Sequence, residues 1–294
     1  MKIAFFGLPL AALLLARDGH EIVYAGVCRK DALGTRRLRR IARAVDVTPD
    51  ARSAQVRERV RAASPDLLVS WFWTKRLPPA LLRLAPLGTL GVHPSLLPRH
   101  RGPDPYFWAI YCGDSETGVT AHALEESYDT GAILAQRRLT IDPGWSAWTL
   151  AKRLDRPSLA TLRDVAAAIA SGASPTPILQ DESLATLAPS PDDDQLAIDW
   201  RKSAAEVVRL VRAASPWPGA TFTLGDEVVV LELARETADF PRVLAPGEAA
   251  VRRDGCCVVR AGDGAVELIS GRSELDGPID ARGWAARVSA ARGG

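Results

Sequence analysis

The chain has 294 residues, of which 47% are apolar and 24% are charged. This is ordinary globular usage and excludes a fibrous or largely disordered chain, and at ~100–200 residues per domain the length suggests two domains. The 37 basic and 35 acidic residues leave a net charge of +2, so the chain is not a globally basic nucleic-acid binder. Its four cysteines show no Cys-x-x-Cys spacing, which argues against a zinc site and favours the reducing cytoplasm.

The first 28 residues consist of two apolar segments separated by a Gly-containing turn and a short polar stretch. A secretory signal peptide can begin in this way, but residues 3–16 are too short to span a bilayer and no clear cleavage site follows them. We favour a strand at 2–6, a helix at 10–17 and a second strand at 21–28, which is the opening of a parallel βαβ unit. We therefore expect no membrane partner.

Strands and helices alternate through the first part of the chain. Apolar spacing predicts helices at 35–45, 56–63, 78–84, 103–111 and 146–171, and strands at 66–71, 88–93, 118–124 and 131–139. This alternation indicates a Rossmann-like α/β domain with a mostly parallel sheet and helices on both faces. The arginines at 36, 40 and 43 lie on the polar side of the helix predicted at 35–45. We interpret them as a solvated surface, with an RNA-binding patch as the alternative.

The composition changes at 172–199, where Pro, Ser and Asp are frequent and no periodicity is sustained. Such a segment is typical of a linker. A helix at 203–214 and short strands separated by Gly-Asp turns follow, and they predict a small β-barrel.

Two residues are candidates for acid–base chemistry. His93 ends a predicted strand, and ligands of open α/β sheets bind beyond the carboxyl ends of the strands. Imidazole has a reference pKa of ~6.5, so a histidine there can act as a general base near neutral pH. Asp129 lies in a polar loop between two predicted strands, and a carboxylate beside a histidine can orient the ring. From the residues alone this pairing is a hypothesis.

A long segment around these residues resembles the core signature of the 10-formyltetrahydrofolate-dependent formyltransferases. The matching positions are His93, Ser95, Leu96, Leu97, Pro98, Arg101, Gly102, Thr117, Gly118, Val119, Thr120, Asp129 and Gly131. Residues 198–220 and 261–271 resemble parts of the second domain of this family, an OB-like barrel. The resemblance covers nearly the whole chain, and it implies a catalytic domain at 1–190 and an OB-like domain at 200–294.

The resemblance implies transfer of the formyl group of 10-formyltetrahydrofolate, as co-substrate, to a primary amine, without a metal. His93 would accept the amine proton and Asp129 would orient it. The residues expected to contact folate are Trp73, Thr74, Leu77, Leu97, Glu126 and Tyr128, although core packing is an alternative for Trp73. Those expected to shape the substrate pocket are Ser95, Arg101 and Gly102.

One position departs from the family pattern. The catalytic Asn of the family lies two residues before the His, and here that residue is Gly91. The Asn is taken to donate a hydrogen bond to the formyl oxygen, and losing one such donor costs ~2.7–4 kcal/mol. We expect a water or another side chain where the amide would lie. A folate-binding module and a formyl-tetrahydrofolate hydrolase remain alternatives to a transferase.

Two kinds of enzyme in this family share the two-domain organisation: the methionyl-tRNA formyltransferases and the amino-sugar formyltransferases. The aromatic residues in 67–98 resemble the sugar type. Only residues 28–34 lie where the tRNA enzymes carry a long basic insertion. We therefore expect a small amine such as a nucleotide-linked amino sugar as the acceptor, with methionyl-tRNA as the alternative.

Overall fold

The computed structural model describes residues 1–273 and 275–293. Its contacts divide the chain into two units. The first unit consists of Met1–Pro105, Glu116–Thr140 and Lys152–Pro189. The second consists of Tyr106–Ser115, Ile141–Ala151 and the described residues from Ser190 onward. Among the described residues, we find no helix that is long and apolar enough to cross a membrane.

A seven-stranded sheet forms the centre of the first unit. Its strands are β1 (Lys2–Gly7), β2 (Glu21–Val27), β3 (Val45–Val47), β4 (Leu67–Trp71), β5 (Thr89–His93), β6 (Glu116–His122) and β7 (Ile133–Thr140). They follow the order β3-β2-β1-β4-β5-β6-β7 across the sheet. The first five are parallel, whereas β6 and β7 are antiparallel to their neighbours. The prediction of a mostly parallel α/β sheet is confirmed.

Successive side chains of β1 enter hydrophobic cores on opposite faces of this sheet. Ile3 and Phe5 pack in one core, and Ala4 and Phe6 pack in the other. The first core includes residues of α1 (Pro9–Arg17) and α6 (Ala147–Ala170), and the second includes residues of α3 (Ala54–Ala63) and α4 (Pro79–Leu82). Because the side chains of a strand alternate in direction, this arrangement confirms helices on both faces.

The helix predicted at 35–45 is wrong in its extent. The structure has a single helical turn, α2 (Thr35–Leu38), and the chain then enters β3. The apolar spacing of this segment fits a helix, but Val45 pairs with Ala25 and extends the edge of the sheet. Pairing with the sheet therefore overrides the local helical pattern.

The second unit contains an antiparallel six-stranded sheet. Its strands are β8 (Ala220–Leu224), β9 (Glu227–Thr237), β10 (Ala249–Val251), β11 (Cys257–Arg260), β12 (Ala265–Ser273) and β13 (Gly277–Ile279), in the order β10-β11-β12-β9-β8 with β13 on β12. Its helices are α5 (Pro105–Tyr111), α7 (Asp193–Leu196), α8 (Ala204–Ala214) and α9 (Ala281–Gly293). This antiparallel sheet confirms the predicted OB-like fold class.

A buried hydrogen bond ties the end of β4 to α6. The indole N–H of Trp71 donates to the hydroxyl of Ser158 at 2.8 Å, and both residues are only 4% exposed. Both side chains lie in the first unit. The bond therefore anchors β4 next to the edge of the sheet where ligands of α/β proteins bind.

We expect Ser158→Ala to lower the free energy of unfolding by about 1–3 kcal/mol, because the indole N–H is left buried without an acceptor. Urea denaturation of the variant measures this loss. Ser174→Ala, at an exposed position, is the matched control and should leave stability unchanged. Equal losses in the two variants would contradict the role of this bond.

Candidate active site

The end of β5 and the neighbouring strand β6 bring together the residues at the centre of the site. His93 is the last residue of β5, where it pairs with Thr120 of β6. Gly91 pairs with His122, so a side chain at position 91 and the imidazole of residue 122 share one face of the sheet. Asp129 lies in the loop between β6 and β7.

The structure places His93 next to Asp129, as the sequence predicts. The His93 ring is 6% exposed, and its Nδ1 lies 3.4 Å from Asp129 Oδ2. The Nε2 atom lies 2.8 Å from the backbone carbonyl oxygen of His100. A carbonyl oxygen only accepts hydrogen bonds, so Nε2 carries the proton in this contact. When Nδ1 takes up a second proton, its N–H can interact with the carboxylate of Asp129, which favours the charged ring.

Several contacts fix the carboxylate of Asp129. The residue has a φ of +57°, in the left-handed region that non-Gly residues seldom adopt. Its Oδ2 accepts the backbone N–H of Gly102 at 3.0 Å. Its backbone carbonyl accepts the side-chain amide of Gln180 at 2.8 Å, and the same amide donates to the carbonyl of Gly131 at 2.7 Å. Gln180 therefore holds the turn that presents Asp129.

Arg101 holds Gln180 in turn. Its guanidinium donates to Gln180 Oε1 at 2.7 and 3.0 Å and to both carboxylate oxygens of Glu182 at 2.8 Å. The hydrogen bonds from Arg101 lower the pKa of Glu182. The interpretation of 172–199 as a linker is therefore wrong for its first part, because residues up to Pro189 belong to the first unit. The sequence analysis did not predict Gln180 because it is a single polar residue, and nothing in the composition around it distinguishes it.

Two glycines permit close backbone approaches beside Asp129. A Cβ at Gly131 would overlap the carbonyl oxygen of Ala123. At Gly102, whose φ is +126°, a Cβ would lie 2.8 Å from the carbonyl oxygen of Ala188. A side chain at Gly131 would push the Asp129 loop away from Ala123, and one at Gly102 would displace the backbone whose N–H donates to Asp129. The structure thus gives Gly102 a positioning role through its N–H.

The loop that follows His93 is fixed by its own hydrogen bonds. The hydroxyl of Ser95, fully buried, donates to the carbonyl of Arg99 at 2.6 Å. Thr120 Oγ1 accepts the N–H of Leu97 at 3.0 Å and donates to the carbonyl of Ser95 at 2.7 Å. The side chains of Ser95 and Arg101 are therefore engaged within the protein, and their contact with a substrate stays a prediction.

The residues predicted to contact folate lie on three segments. Trp73 and Leu77 pack in the core that contains Phe6, and the rings of Trp73 and Phe6 lie 5.3 Å apart. Trp73 therefore packs against the core, as its alternative interpretation expects, and contact of Trp73 and Leu77 with folate stays a prediction. Leu97 is buried, whereas the remaining three are exposed, namely Thr74, Glu126 and Tyr128. Their contact with folate stays a prediction.

Side chains occupy the place of the family Asn. A Cβ at Gly91 would overlap Leu124 Cδ2 and would lie 3.3 Å from His122 Nε2. The φ of Gly91 lies outside the left-handed region, so backbone conformation does not demand glycine here. A side chain at position 91 would have to displace the end of the Leu124 side chain, because Leu124 and His122 fill the adjoining space.

His122 is a residue of the site that sequence reasoning missed. Its imidazole is 3% exposed, its Nδ1 lies 2.8 Å from the carbonyl oxygen of Ala123, and its Nε2 lies 3.7 Å from Asp129 Oδ1. Burial lowers the pKa of His122 to about 4, against the attraction of Asp129. The signal that could have found it is its place two residues after Thr120, on the same face of a strand. Within the part of the chain that the structure describes, no group of three His, Cys, Asp or Glu side chains is arranged to hold a metal ion.

Comparison with known proteins identifies the family. The family described as "Formyl transferase" matches residues 27–165, and "Formyl transferase, C-terminal domain" matches residues 192–289. A methionyl-tRNA formyltransferase from Anaeromyxobacter dehalogenans (strain 2CP-C) is 37% identical over 94% of this chain and 93% of that protein. The chain belongs to the formyltransferase family. It is an enzyme that transfers a formyl group.

Solved structures of formyltransferases and of a larger protein share its fold. An N-formyltransferase from Helicobacter canadensis, in complex with folinic acid and dTDP-3-aminofucose, matches with a TM-score of 0.66 over 91% of this chain and 98% of that chain. HypX from Aquifex aeolicus, in complex with tetrahydrofolic acid, matches with a TM-score of 0.65 over 95% of this chain and 45% of that chain. This formyltransferase thus spans less than half of HypX. At 13% and 21% identity, both matches establish the fold alone.

Because Gln180 holds the turn of Asp129, we expect Gln180→Ala to lower the rate of formyl transfer by about 100-fold, the effect of a small misplacement of a catalytic group. Steady-state kinetics should place the loss in kcat. Gln55→Ala, at an exposed position of α3, is the matched control. A variant at position 180 with unchanged kcat would show that Asp129 keeps its place without this amide.

The low pKa of His122 predicts a dependence of stability on pH. Between about pH 6.5 and about pH 4, an unfolded chain binds a proton at residue 122 that the folded formyltransferase does not. The stability contributed by this group is thus complete above about pH 6.5 and is lost as the pH falls toward about 4. We expect His122→Leu to reduce the loss of unfolding free energy over this range by up to about 3 kcal/mol. Denaturation at several pH values measures it, and equal acid losses in variant and wild type would contradict a neutral His122.

Proposed function

We propose that this formyltransferase moves the formyl group of 10-formyltetrahydrofolate to the amino group of methionyl-tRNA. The observation that carries this proposal is similarity over almost the full length, including both domains, to an A. dehalogenans protein that bears the name of that activity. Folate as the formyl donor follows from the resemblance at His93–Asp129 described above. The partners are then folate and a tRNA.

This proposal replaces the amino-sugar acceptor that the sequence favoured. That expectation rested on aromatic residues before His93 and on the short segment 28–34, where the tRNA enzymes carry a long basic insertion. In the structure Trp71 is buried and bonded to Ser158, and Trp73 packs in the core. Packing within the protein accounts for these two indole side chains, so they give the amino-sugar acceptor no support. Arg36 and Arg40 are exposed, so their side chains are accessible to the phosphates of a tRNA as well as to solvent.

In the proposed mechanism the amine nitrogen attacks the formyl carbon and the carbonyl electron pair moves to the formyl oxygen. His93 accepts the proton that leaves the amine, and Asp129 stabilises the resulting imidazolium. The electron pair on the oxygen then re-forms the carbonyl, the bond between the formyl carbon and N10 of the folate breaks, and His93 gives its proton to N10. His100 and Gln180 take part as positioning residues, because one accepts from the His93 ring and the other fixes the Asp129 turn.

We propose that folate lies against the exposed residues of the predicted set. Tyr128 contacts the segment after β4 through a cation–π interaction, in which the guanidinium of Arg76 lies 4.8 Å from the centroid of the Tyr128 ring. Thr74 is exposed in that segment, and Glu126 is exposed in the segment of Tyr128. An aromatic ring and polar groups on adjoining segments suit a flat heterocycle with hydrogen-bonding edges.

The test is transfer of labelled formyl from 10-formyltetrahydrofolate to methionyl-tRNA by the full chain. We expect formylmethionyl-tRNA as the product, and a loss of ~100–10,000-fold in His93→Ala, because a positioned general base contributes that much. His20→Ala, at a histidine in the turn before β2, is the control and should keep activity.

Parallel reactions with nucleotide-linked amino sugars and without any amine separate the alternatives. Transfer to an amino sugar but not to methionyl-tRNA would contradict the proposed acceptor. Loss of formyl at the same rate with and without an amine would indicate the hydrolase instead.

A further inference from the structure

The mechanism above gives no role to the buried imidazole of His122. His122 lies across the strand pair from Gly91, and its Nε2 comes within 3.3 Å of the position of a Cβ there. Asp129 Oδ1 lies 3.7 Å from the same nitrogen. The Nε2 atom of His122 therefore borders both the carboxylate of the site and the position at which the family carries its Asn.

The protonation of this ring follows from its other nitrogen. Nδ1 lies 2.8 Å from the backbone carbonyl oxygen of Ala123, which can only accept a hydrogen bond. The neutral ring therefore carries its proton on Nδ1, and Nε2 presents a lone pair. Burial lowers the pKa of His122 to about 4, with repulsion from His93 in the same direction and the attraction of Asp129 opposing both. The lone pair on Nε2 is thus available at neutral pH.

The lone pair on Nε2 of His122 suits a ligand group that donates a hydrogen bond. It cannot stabilise the negative formyl oxygen, so His122 is not a direct replacement for the amide donor of the family Asn. It can accept an N–H. The nucleophilic amine brings such a donor to the site, because a primary amine has two N–H bonds.

We propose that Nε2 of His122 accepts a hydrogen bond from the attacking primary amine and orients its lone pair toward the formyl carbon. One amine N–H is then directed at His122, and the other hydrogen is the one that His93 removes. His122 itself neither gains nor loses a proton, so the atom and electron balance of the transfer is unchanged. With glycine at position 91, no side chain of that residue covers Nε2 of His122, 3.3 Å from where its Cβ would lie.

This proposal rests on transfer to an amine, part of the proposed function, and does not depend on which amine is the acceptor. Its first test needs no substrate. Nitrogen-15 NMR of the histidine-labelled full chain reports which imidazole nitrogen carries the proton. We expect the His122 signal, assigned by its loss in His122→Gln, to show a protonated Nδ1 and a bare Nε2 between about pH 5 and pH 8. A protonated Nε2 in that range would overturn the proposal.

The second test compares two replacements of the imidazole. His122→Leu removes the acceptor, and we expect it to lower kcat/KM for the amine by about 100-fold while the dissociation constant for tetrahydrofolate stays unchanged. His122→Gln carries an amide oxygen at about the reach of Nε2 and should recover at least about 10-fold of that loss. His20→Gln is the matched control and should behave as wild type.

The outcomes separate this proposal from the proposed function. A wild-type chain that formylates an amino sugar and not methionyl-tRNA overturns the proposed acceptor, and the ratio between the two His122 variants is then measured on the amino sugar. Equal activities of His122→Leu and wild type overturn the role of His122 on either acceptor. Equal losses of kcat/KM in His122→Leu and His122→Gln also overturn this role, provided that both variants fold and bind tetrahydrofolate normally.

Discussion

The geometry of the site depends on the placement of one carboxylate. Asp129 accepts the N–H of Gly102 and faces His93, although its backbone adopts the unfavourable left-handed conformation. That conformation costs on the order of 1–3 kcal/mol and persists only where the surroundings fix it. Here Gln180 supplies that constraint through two carbonyl oxygens, and Arg101 holds Gln180. A chain of polar contacts thus converts a loop residue into a rigidly oriented partner of the base.

The parts of this arrangement that the sequence could predict are those encoded locally. Alternating apolar patterns predict the parallel sheet, and the position of His93 at the end of a strand predicts its place at the ligand-binding edge. Asp129 could be paired with it because a polar loop between adjacent strands returns to that edge. The short α2 could not be foreseen, since an apolar helical spacing at 35–45 gives no sign that Val45 will pair with the sheet.

The remainder could not be predicted because it depends on contacts between distant segments. Gln180 bonds to a carbonyl 51 residues away in the chain, and it lies in a stretch whose composition is typical of a linker. The space beside Gly91 poses the same difficulty. The sequence shows that an amide is missing, but only the packed structure shows that Leu124 and His122 occupy its place.

The packing of Leu124 against Gly91 also constrains how this site can change through evolution. The backbone of Leu124 is anchored at both polar groups, since its N–H donates to Thr89 Oγ1 at 2.8 Å and its carbonyl accepts from the same hydroxyl at 3.1 Å. An Asn at position 91 therefore requires the Leu124 side chain to rotate away or to be replaced by a smaller one while its backbone stays in place. The two positions are therefore coupled, and substitutions at them should not be additive in their effects. The amide of the family can be restored here only together with a change in the space that Leu124 fills, so evolution of this site has to treat the pair as one unit.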